Sequence, residues 1–246
     1  MDRELTSQSS NIVSATFIVG LAGICAFFIL ILCVTAARAQ PDIDEPFELS
    51  TVRVPGGAIE AIWKETLAAI DNDLSIVSKG REESCLSLAA IKFVMLAKEG
   101  ERQETLAQMG HLNRAANLAI RSLDKTHADN EWRSPLAILS RGSGDCKHFA
   151  VLKYAMLRQA GVSPDAVKII VVEAKPTNQL HAIVAVRTEK SRWLLLDSRT
   201  LVLVESSMAL SYYDPLYEFD QNGVWQFALP SRPAQVAQSA RLTQIP

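Results

Sequence analysis

The sequence predicts an α+β domain in which helices come first and an antiparallel sheet follows. Apolar residues recur at helical spacing in three successive stretches of the first half. In the second half, short runs rich in Val, Ile and Leu are separated by turn residues, as in β-hairpins. This order of elements is typical of α+β domains. Hydrophobic residues make up 48% of the chain and charged residues 21%, which indicates a folded protein and excludes a disordered one.

Three helices are predicted in the first half, at residues 58–79, 82–98 and 103–123. In the first helix, Ile59, Trp63 and Leu67 fall on one face, which we expect to be buried. The second helix is expected to end at Gly100, because glycine is the usual residue just past a helix C-terminus. Residues 124–134 are polar and are predicted to form a loop.

The second half begins with a helix predicted at residues 146–160 and ended by Gly161. Strands are predicted at 166–174, 180–188 and 192–197, with a short fourth strand at 201–204. The whole domain is predicted to span residues 58–229. A linker or an extended arm at residues 40–57 precedes it, and a loosely ordered tail at residues 230–246 follows it.

Residues 1–39 are predicted to be a signal peptide or a signal anchor. An almost unbroken apolar run extends from Ile12 to Val34, and Ala37-Arg38-Ala39 forms a small-x-small cleavage site before Gln40. The run is also long enough to span a bilayer uncleaved. In either case we expect the rest of the chain to be exported to the periplasm, either released or anchored in the inner membrane by residues 12–34.

Charge and cysteine content narrow the function classes. The formal net charge is -2 and the cations are spread among acids, so no nucleic-acid partner is expected. Cys25 and Cys33 lie in the leader, which leaves Cys85 and Cys146 in the exported domain. A disulfide between these two is one interpretation. A reactive thiol at Cys146 is favoured, because the residues around it suit a nucleophile.

Cys146 lies where a loop meets a helix. Gly142 and Gly144 allow backbone angles closed to other residues, so the chain can turn sharply there. Asp145 or Ser143 can then cap the helix. Cys146 falls in the first turn, where the helix dipole favours the nucleophilic thiolate. We therefore expect a nucleophile with a depressed pKa, and the alternative is a small buried residue on an amphipathic helix.

His181 and Asp197 are candidates to complete a catalytic set. If strands 180–188 and 192–197 pair as a hairpin around Glu189, then His181 lies directly opposite Asp197. Directly opposed side chains are about 4.5–5.5 Å apart at Cβ, within hydrogen-bonding reach for an imidazole and a carboxylate. In this arrangement His181 is the base that takes the thiol proton, and Asp197 orients the base.

A zinc site formed by Cys146, His148 and His181 is an alternative interpretation. Structural and catalytic zinc sites usually show a second cysteine pair or a compact histidine motif. The chain has neither. The nucleophile interpretation is therefore preferred, and no cofactor is predicted.

Several motifs occur along the chain in a recognisable order. They are Trp132-Arg133-Ser134-Pro135, Gly142-x-Gly144-Asp145-Cys146, Ala150-x-x-Lys153-Tyr154-x-x-Leu157-x-x-Ala160-Gly161, His181-Ala182, Leu196-Asp197 and Tyr217-x-Phe219-x-x-x-Gly223-x-Trp225. Together they resemble the bacterial transglutaminase-like cysteine proteinases, over roughly Gly110 to Trp225. The resemblance implies a papain-like, transglutaminase-like core with the cysteine helix packed on an antiparallel sheet. It also implies Cys146, His181 and Asp197 as the catalytic triad.

The resemblance implies a function as well. Members of the family include periplasmic proteases that clip large biofilm adhesins, and an inner-membrane receptor can restrain them. We therefore expect an exported cysteine peptidase that cleaves a periplasmic or cell-surface protein through a thioester intermediate. Two alternatives stay open. One is acyl transfer of the transglutaminase type, because an amine can resolve a thioester as water does. The other is a catalytically silent module that binds a partner through the same groove.

One departure from the family pattern concerns calcium. The family usually has acids directly after the cysteine, as Gly-Asp-Cys-Glu-Asp, and in some members the acids around the cysteine bind calcium. This chain has Lys147 and His148 at those positions. Replacing two oxygen ligands by a cation and an imidazole should remove most calcium affinity. We therefore predict activity that does not depend on calcium.

Overall fold

A computed structural model describes residues 44–83, 86–101, 105–123 and 131–229. The predicted leader, Cys85, most of the predicted polar loop and the predicted tail lie outside these residues. Within the described ranges, no helix is both long and apolar enough to cross a membrane.

The helices of the described residues lie mainly in the first half of the chain. They are α1 (Ala58–Glu83), α2 (Leu88–Glu101), α3 (Thr105–Ala119), α4 (Pro135–Arg141) and α5 (Cys146–Gln159). Helix α4 was not predicted, because seven residues are too few for a clear apolar period. Its ends do carry sequence signals: Ser134 accepts a hydrogen bond from the Ala137 N–H, Pro135 opens the helix, and Gly142 ends it at φ +68°.

The strands of the described residues form one large sheet and one small pair. They are β1 (Thr51–Arg53), β2 (Arg121–Ser122), β3 (Ser143–Gly144), β4 (Val167–Ala174), β5 (Gln179–Arg187), β6 (Trp193–Leu196), β7 (Val204–Glu205), β8 (Tyr213–Asp220) and β9 (Gly223–Phe227). The large sheet has the order β1-β9-β8-β4-β5-β6-β7, and its neighbours are antiparallel. Strands β2 and β3 pair in parallel. The predicted α+β class, with helices packed on an antiparallel sheet, is confirmed.

The two faces of the sheet follow from the alternation of side chains along each strand. Val184 and Leu196 lie on the face that packs against the helices. Ile183 and Leu195 lie on the other face, which is covered by Phe47 and other residues from outside the helical layer. Helix α5 is the central helix, and every residue from 147 to 157 in it is buried.

The described part of the predicted linker or extended arm packs on the sheet. Phe47 is 1% exposed and packs edge-on against Phe227. Strand β1 pairs with β9, and Glu45 forms an ion pair with Lys168 of β4. Glu45, one of the acids that suggested a linker, therefore binds a basic residue of the sheet.

An aromatic cluster anchors the helices to the sheet. Trp63 of α1 makes T-shaped contacts with Trp132, Tyr154 and Phe219, with ring centroids 5.5–6.3 Å apart. Its indole N–H donates to the carbonyl of Asp220, at 2.7 Å. Such aromatic pairs contribute beyond the area they bury. Three motif residues, Trp132, Tyr154 and Phe219, are therefore explained by packing.

Candidate active site

The β5–β6 hairpin differs in register from the prediction. The predicted pairing set Ala185 against Trp193, whereas the structure sets Ala185 against Leu195, a shift of two residues. The cause is the turn: the Thr188 N–H donates to the Arg192 carbonyl, and Ser191 adopts a left-handed conformation with φ 55°. A shift of two keeps each side chain on its own face. His181 and Asp197 therefore stay on the same face, as diagonal neighbours.

His181 and Asp197 are in contact despite the corrected register. His181 Nε2 lies 2.7 Å from Asp197 Oδ1. His181 is 2% exposed and Asp197 5% exposed. Asp197 follows the last residue of β6, so its side chain can turn toward His181 without the constraint of the ladder. The structure thus brings together two of the three predicted site residues by a direct polar contact.

Two further groups bind the Asp197 carboxylate. The Tyr213 hydroxyl donates to Oδ2 at 2.6 Å, and the Arg199 backbone N–H donates to Oδ1 at 2.9 Å. Burial opposes ionisation of Asp197. The hydrogen bonds from His181, Tyr213 and Arg199 outweigh burial and hold the pKa of this carboxyl well below its usual range. Asp197 is therefore a carboxylate at any pH at which the protein is expected to work.

The loop that carries Asp197 is fixed by helix α3. The Asn117 side-chain amide donates to the carbonyls of Asp197 and Thr200, at 3.0 and 3.2 Å. The Asn113 amide, one turn earlier, donates to Thr200 at 3.1 Å. Sequence reasoning missed both asparagines and Tyr213. The asparagines did leave a signal, since two amides at i and i+4 on a helix face are well placed to hold one loop.

The loop before Cys146 is shaped by two glycines that act for different reasons. Gly142 has φ +68°, the left-handed conformation that favours glycine. Gly144 has no such angle. A Cβ there would lie 2.6 Å from the Cβ of His148, so Gly144 is needed for close approach. The predicted sharp turn is therefore confirmed at Gly142 by backbone angle, and at Gly144 the reason is steric.

Cys146 is the first residue of α5 and is partly buried. Strand β6 pairs with β5 only from Val184 onward, and α5 packs on β5. The backbone N–H of Ala182, the residue after His181, hydrogen-bonds the Cys146 thiol. This contact places the thiol beside the β5 position that carries the imidazole.

The predicted depression of the Cys146 pKa is wrong. Burial raises the pKa of the thiol to about 11, and the nearby Asp145 carboxylate acts in the same direction. The Ala182 N–H, Lys147 and Arg199 lower it, but by less. In the resting protein the thiol is therefore protonated at neutral pH, and a base has to remove its proton before it can attack.

The residue before the cysteine is held in a buried polar cluster. Lys147 Nζ donates to Asp145 Oδ2 at 2.5 Å, and His148 Nδ1 lies 2.8 Å from Asp145 Oδ1. Asp145, Lys147 and His148 are each less than 5% exposed. His148 is thus engaged with Asp145. Within the described residues, no three His, Cys, Asp or Glu side chains cluster in a way that could hold a metal ion, so the zinc interpretation is not supported.

A cleft of about 310 Å³ opens next to Asp197. Tyr213 and Arg199 contribute to its polar side, while Leu195 and Val204 contribute apolar walls. Arg199 is exposed, and its charge acts on both Cys146 and Tyr213. The cleft therefore borders Asp197 and Tyr213, whereas Cys146 and His181 are not among its lining residues.

A helix that begins with a cysteine, packed on an antiparallel sheet that carries a paired histidine and aspartate, is the arrangement expected of thiol enzymes with a papain-like, transglutaminase-like fold. Residues 82–226 match the family model of the bacterial transglutaminase-like cysteine proteinases, BTLCP. The match covers more than half of the 246 residues. The chain belongs to this family and is a cysteine protease.

Solved structures of Legionella pneumophila LapG share the fold. One is 23% identical with a TM-score of 0.52, covering 64% of this chain and 87% of that chain. Calcium-bound LapG is 22% identical with a TM-score of 0.52, covering 71% of this chain and 97% of LapG. EGTA-treated LapG is 22% identical with a TM-score of 0.53, covering 71% and 96%. No curated protein matches the chain.

Proposed function

We propose that this chain is an exported cysteine peptidase that cleaves a periplasmic or cell-surface protein. Cys146 is the nucleophile, His181 the general base, and Asp197 the residue that orients the base. The observation that carries the proposal is the 2.7 Å contact between His181 Nε2 and Asp197 Oδ1, on the strand whose next N–H binds the thiol.

The contact with Asp197 assigns the two ring nitrogens of His181. The Nε2–H donates to the carboxylate, so Nδ1 carries the lone pair that can accept a proton. As the Cys146 sulfur attacks the scissile carbonyl, its proton moves to Nδ1. His181 then gives this proton to the departing amine, which leaves a thioester on Cys146. Water resolves the thioester, with His181 again as the base.

The raised thiol pKa favours proton transfer during the attack over a preformed thiolate–imidazolium pair. Burial, which raises the thiol pKa to about 11, also strengthens the interactions that stabilise charge in the transition state. The backbone N–H of Cys146 lies at the start of α5, where helix N–H groups point out of the helix end. This N–H is suited to hold the developing oxyanion.

The substrate class follows from the predicted leader and from the family. A protein that carries a signal peptide or a signal anchor meets its substrates outside the cytoplasm. The family resemblance points to a large adhesin as the substrate and to an inner-membrane receptor as the regulator. The cleft beside Asp197 offers apolar walls for a side chain of the bound peptide.

We further propose that the activity does not require calcium. Calcium prefers six to eight oxygen ligands. Both carboxylate oxygens of Asp145 are already engaged, one by Lys147 and one by His148. The residues beside the nucleophile therefore do not fit calcium. Activity measured with EGTA and with added calcium should be equal, and a large loss in EGTA reversed by calcium would contradict this proposal.

Comparison of new protein N-termini in surface and shed fractions tests the proposed function. Cells that express the wild-type protein should show cleavage products that disappear with Cys146→Ala and with His181→Ala. Cys85→Ala serves as the matched thiol control and should behave as wild type. Equal N-terminal profiles for wild type and Cys146→Ala would refute the peptidase. Cysteine-dependent incorporation of a primary amine without cleavage would indicate acyl transfer instead.

A further inference from the structure

The residue directly after the nucleophile is a lysine that does not reach solvent. Lys147 is 0% exposed, and its Nζ donates to Asp145 Oδ2 at 2.5 Å. Lysine is almost never fully buried unless it is paired. Residues 145 and 147 lie in the same helical turn, so their ion pair forms without a contribution from any other helix or strand. It is therefore a fixed part of the site.

The Asp145 carboxylate has opposing effects on the helix and on the nucleophile. As N-cap, Asp145 lies at the positive end of the α5 dipole and holds the first turn through His148. Its negative charge also disfavours the thiolate of Cys146, whereas the charges of Lys147 and Arg199 favour it. A cation against Asp145 preserves the cap and cancels its penalty for the thiolate.

We infer that the Lys147 ammonium is a built-in cation of the active site, which balances the charge of Asp145 beside Cys146. Here the balancing charge is tethered to the chain. Lys147 is a positioning residue that acts through Asp145. The inference rests on the proposed function only in taking Cys146 as the nucleophile.

The first test measures the alkylation rate of Cys146 by iodoacetamide between pH 8 and 10 in the full chain. Lys147→Met should slow alkylation about tenfold at a fixed pH, equivalent to an upward shift of about one pH unit in the thiol pKa. Lys168→Met is the matched control, because Lys168 is also buried and paired, with Glu218 at 2.7 Å, but lies on β4. The control should alkylate as wild type. An unchanged rate in Lys147→Met would overturn the inference.

A second variant separates the electrostatic role from a structural one. Asp145→Asn/Lys147→Met removes both charges and leaves no buried carboxylate without its cation. Its alkylation rate should lie within about threefold of wild type. If Lys147→Met alone does not fold, the double variant can still be compared with wild type. A double variant that alkylates as slowly as the single variant would show that Lys147 does not act through Asp145, and would overturn the inference.

The third variant, Lys147→Glu/His148→Asp, removes the tethered cation and restores acids to this turn. Its melting temperature in calcium should exceed that in EGTA by roughly 2–4 °C or more, and that of wild type should not change. A calcium effect of equal size in wild type, or none in the variant, would overturn the inference. The alkylation rates and melting temperatures can be measured without proteolysis. A wild-type protein that cleaves nothing would therefore refute the proposed function but would not affect the test of this inference.

Discussion

Replacement of Asp197 by asparagine tests the geometry of the proposed triad. Two donors, His181 Nε2 and the Arg199 backbone N–H, converge on Oδ1, while the Tyr213 hydroxyl binds Oδ2. An asparagine can satisfy both Oδ1 donors only with its carbonyl oxygen on that side. Its NH₂ group then faces Tyr213, whose hydroxyl can accept a hydrogen bond. The structure therefore keeps the proton of His181 on Nε2 in the variant.

The expected loss of kcat/KM in Asp197→Asn comes from removing the negative charge of the carboxylate. A hydrogen bond to a charged group is worth about 1.5–3 kcal/mol, and each 1.36 kcal/mol corresponds to tenfold in rate. Asp197→Asn should thus lower kcat/KM by about 10–10². The equivalent change in a serine protease costs about 10⁴, because the histidine there takes the wrong tautomer. A loss of kcat/KM smaller than 10⁴ would therefore indicate that the Arg199 N–H keeps the asparagine oxygen facing His181.

The assay is kcat/KM on a cleaved substrate, with thermal unfolding as a check that the variants fold. Asp197→Ala should lose more than Asp197→Asn, because it leaves the Tyr213 hydroxyl and the Arg199 N–H without an acceptor. His181→Ala/Asp197→Asn should be no worse than His181→Ala, since residues that act as one unit are not additive. A loss near 10⁴ in Asp197→Asn would refute the orientation argument. Multiplicative losses in the double variant would refute the coupling.

Four further predictions concern the groups around the nucleophile and the leader. Tyr213→Phe should raise the pKa of Asp197 and lower kcat/KM by about tenfold, and an unchanged rate would show that Oδ2 needs no donor. The alkylation rate of Cys146 in wild type should still be rising with pH above pH 9, because its pKa is raised to about 11; a plateau below pH 8 would contradict this. The pKa of Lys153 is lowered to about 7 by burial, so the unfolded state binds more protons above pH 7, and stability should rise with pH from 7 to about 9; above pH 9 the raised pKa of Cys146 acts in the opposite direction. Denaturant titration of wild type and Lys153→Met should show this rise only in wild type. N-terminal sequencing of the mature protein should find Gln40 first, and a full-length species in the inner membrane would contradict cleavage but not export.

The sequence was sufficient to predict the contact between His181 and Asp197, although the register was wrong. The period of a strand is two, so a pairing error of two residues leaves both side chains on one face. The error arose at the turn, where the left-handed Ser191 moves the hairpin centre by one residue. Nothing in the local pattern marks that conformation, because serine rarely adopts it.

Tyr213 could not be predicted, for a different reason. It follows a 3₁₀-helix at Ser206–Ser211 and opens β8, while its hydroxyl reaches a carboxylate 16 residues earlier in the chain. Such a contact depends on the path of a connecting segment. The prediction of the thiol pKa was wrong for a similar reason. The position of Cys146 at a helix start was predicted from the sequence, but the extent of its burial depends on how α5 packs on β5.

Helix α5 carries a second buried lysine, and the contrast between the two supports a specific role for Lys147. Lys153 Nζ has the Leu196 carbonyl at 3.4 Å and feels Asp197 only through its charge. Burial therefore outweighs attraction, and Lys153 titrates near neutral pH. Lys147 is equally buried but has a carboxylate oxygen at 2.5 Å. The two lysines thus differ in their partners, which are a carboxylate oxygen for Lys147 and a backbone carbonyl for Lys153. The lysine next to the nucleophile is therefore the one with a direct carboxylate partner.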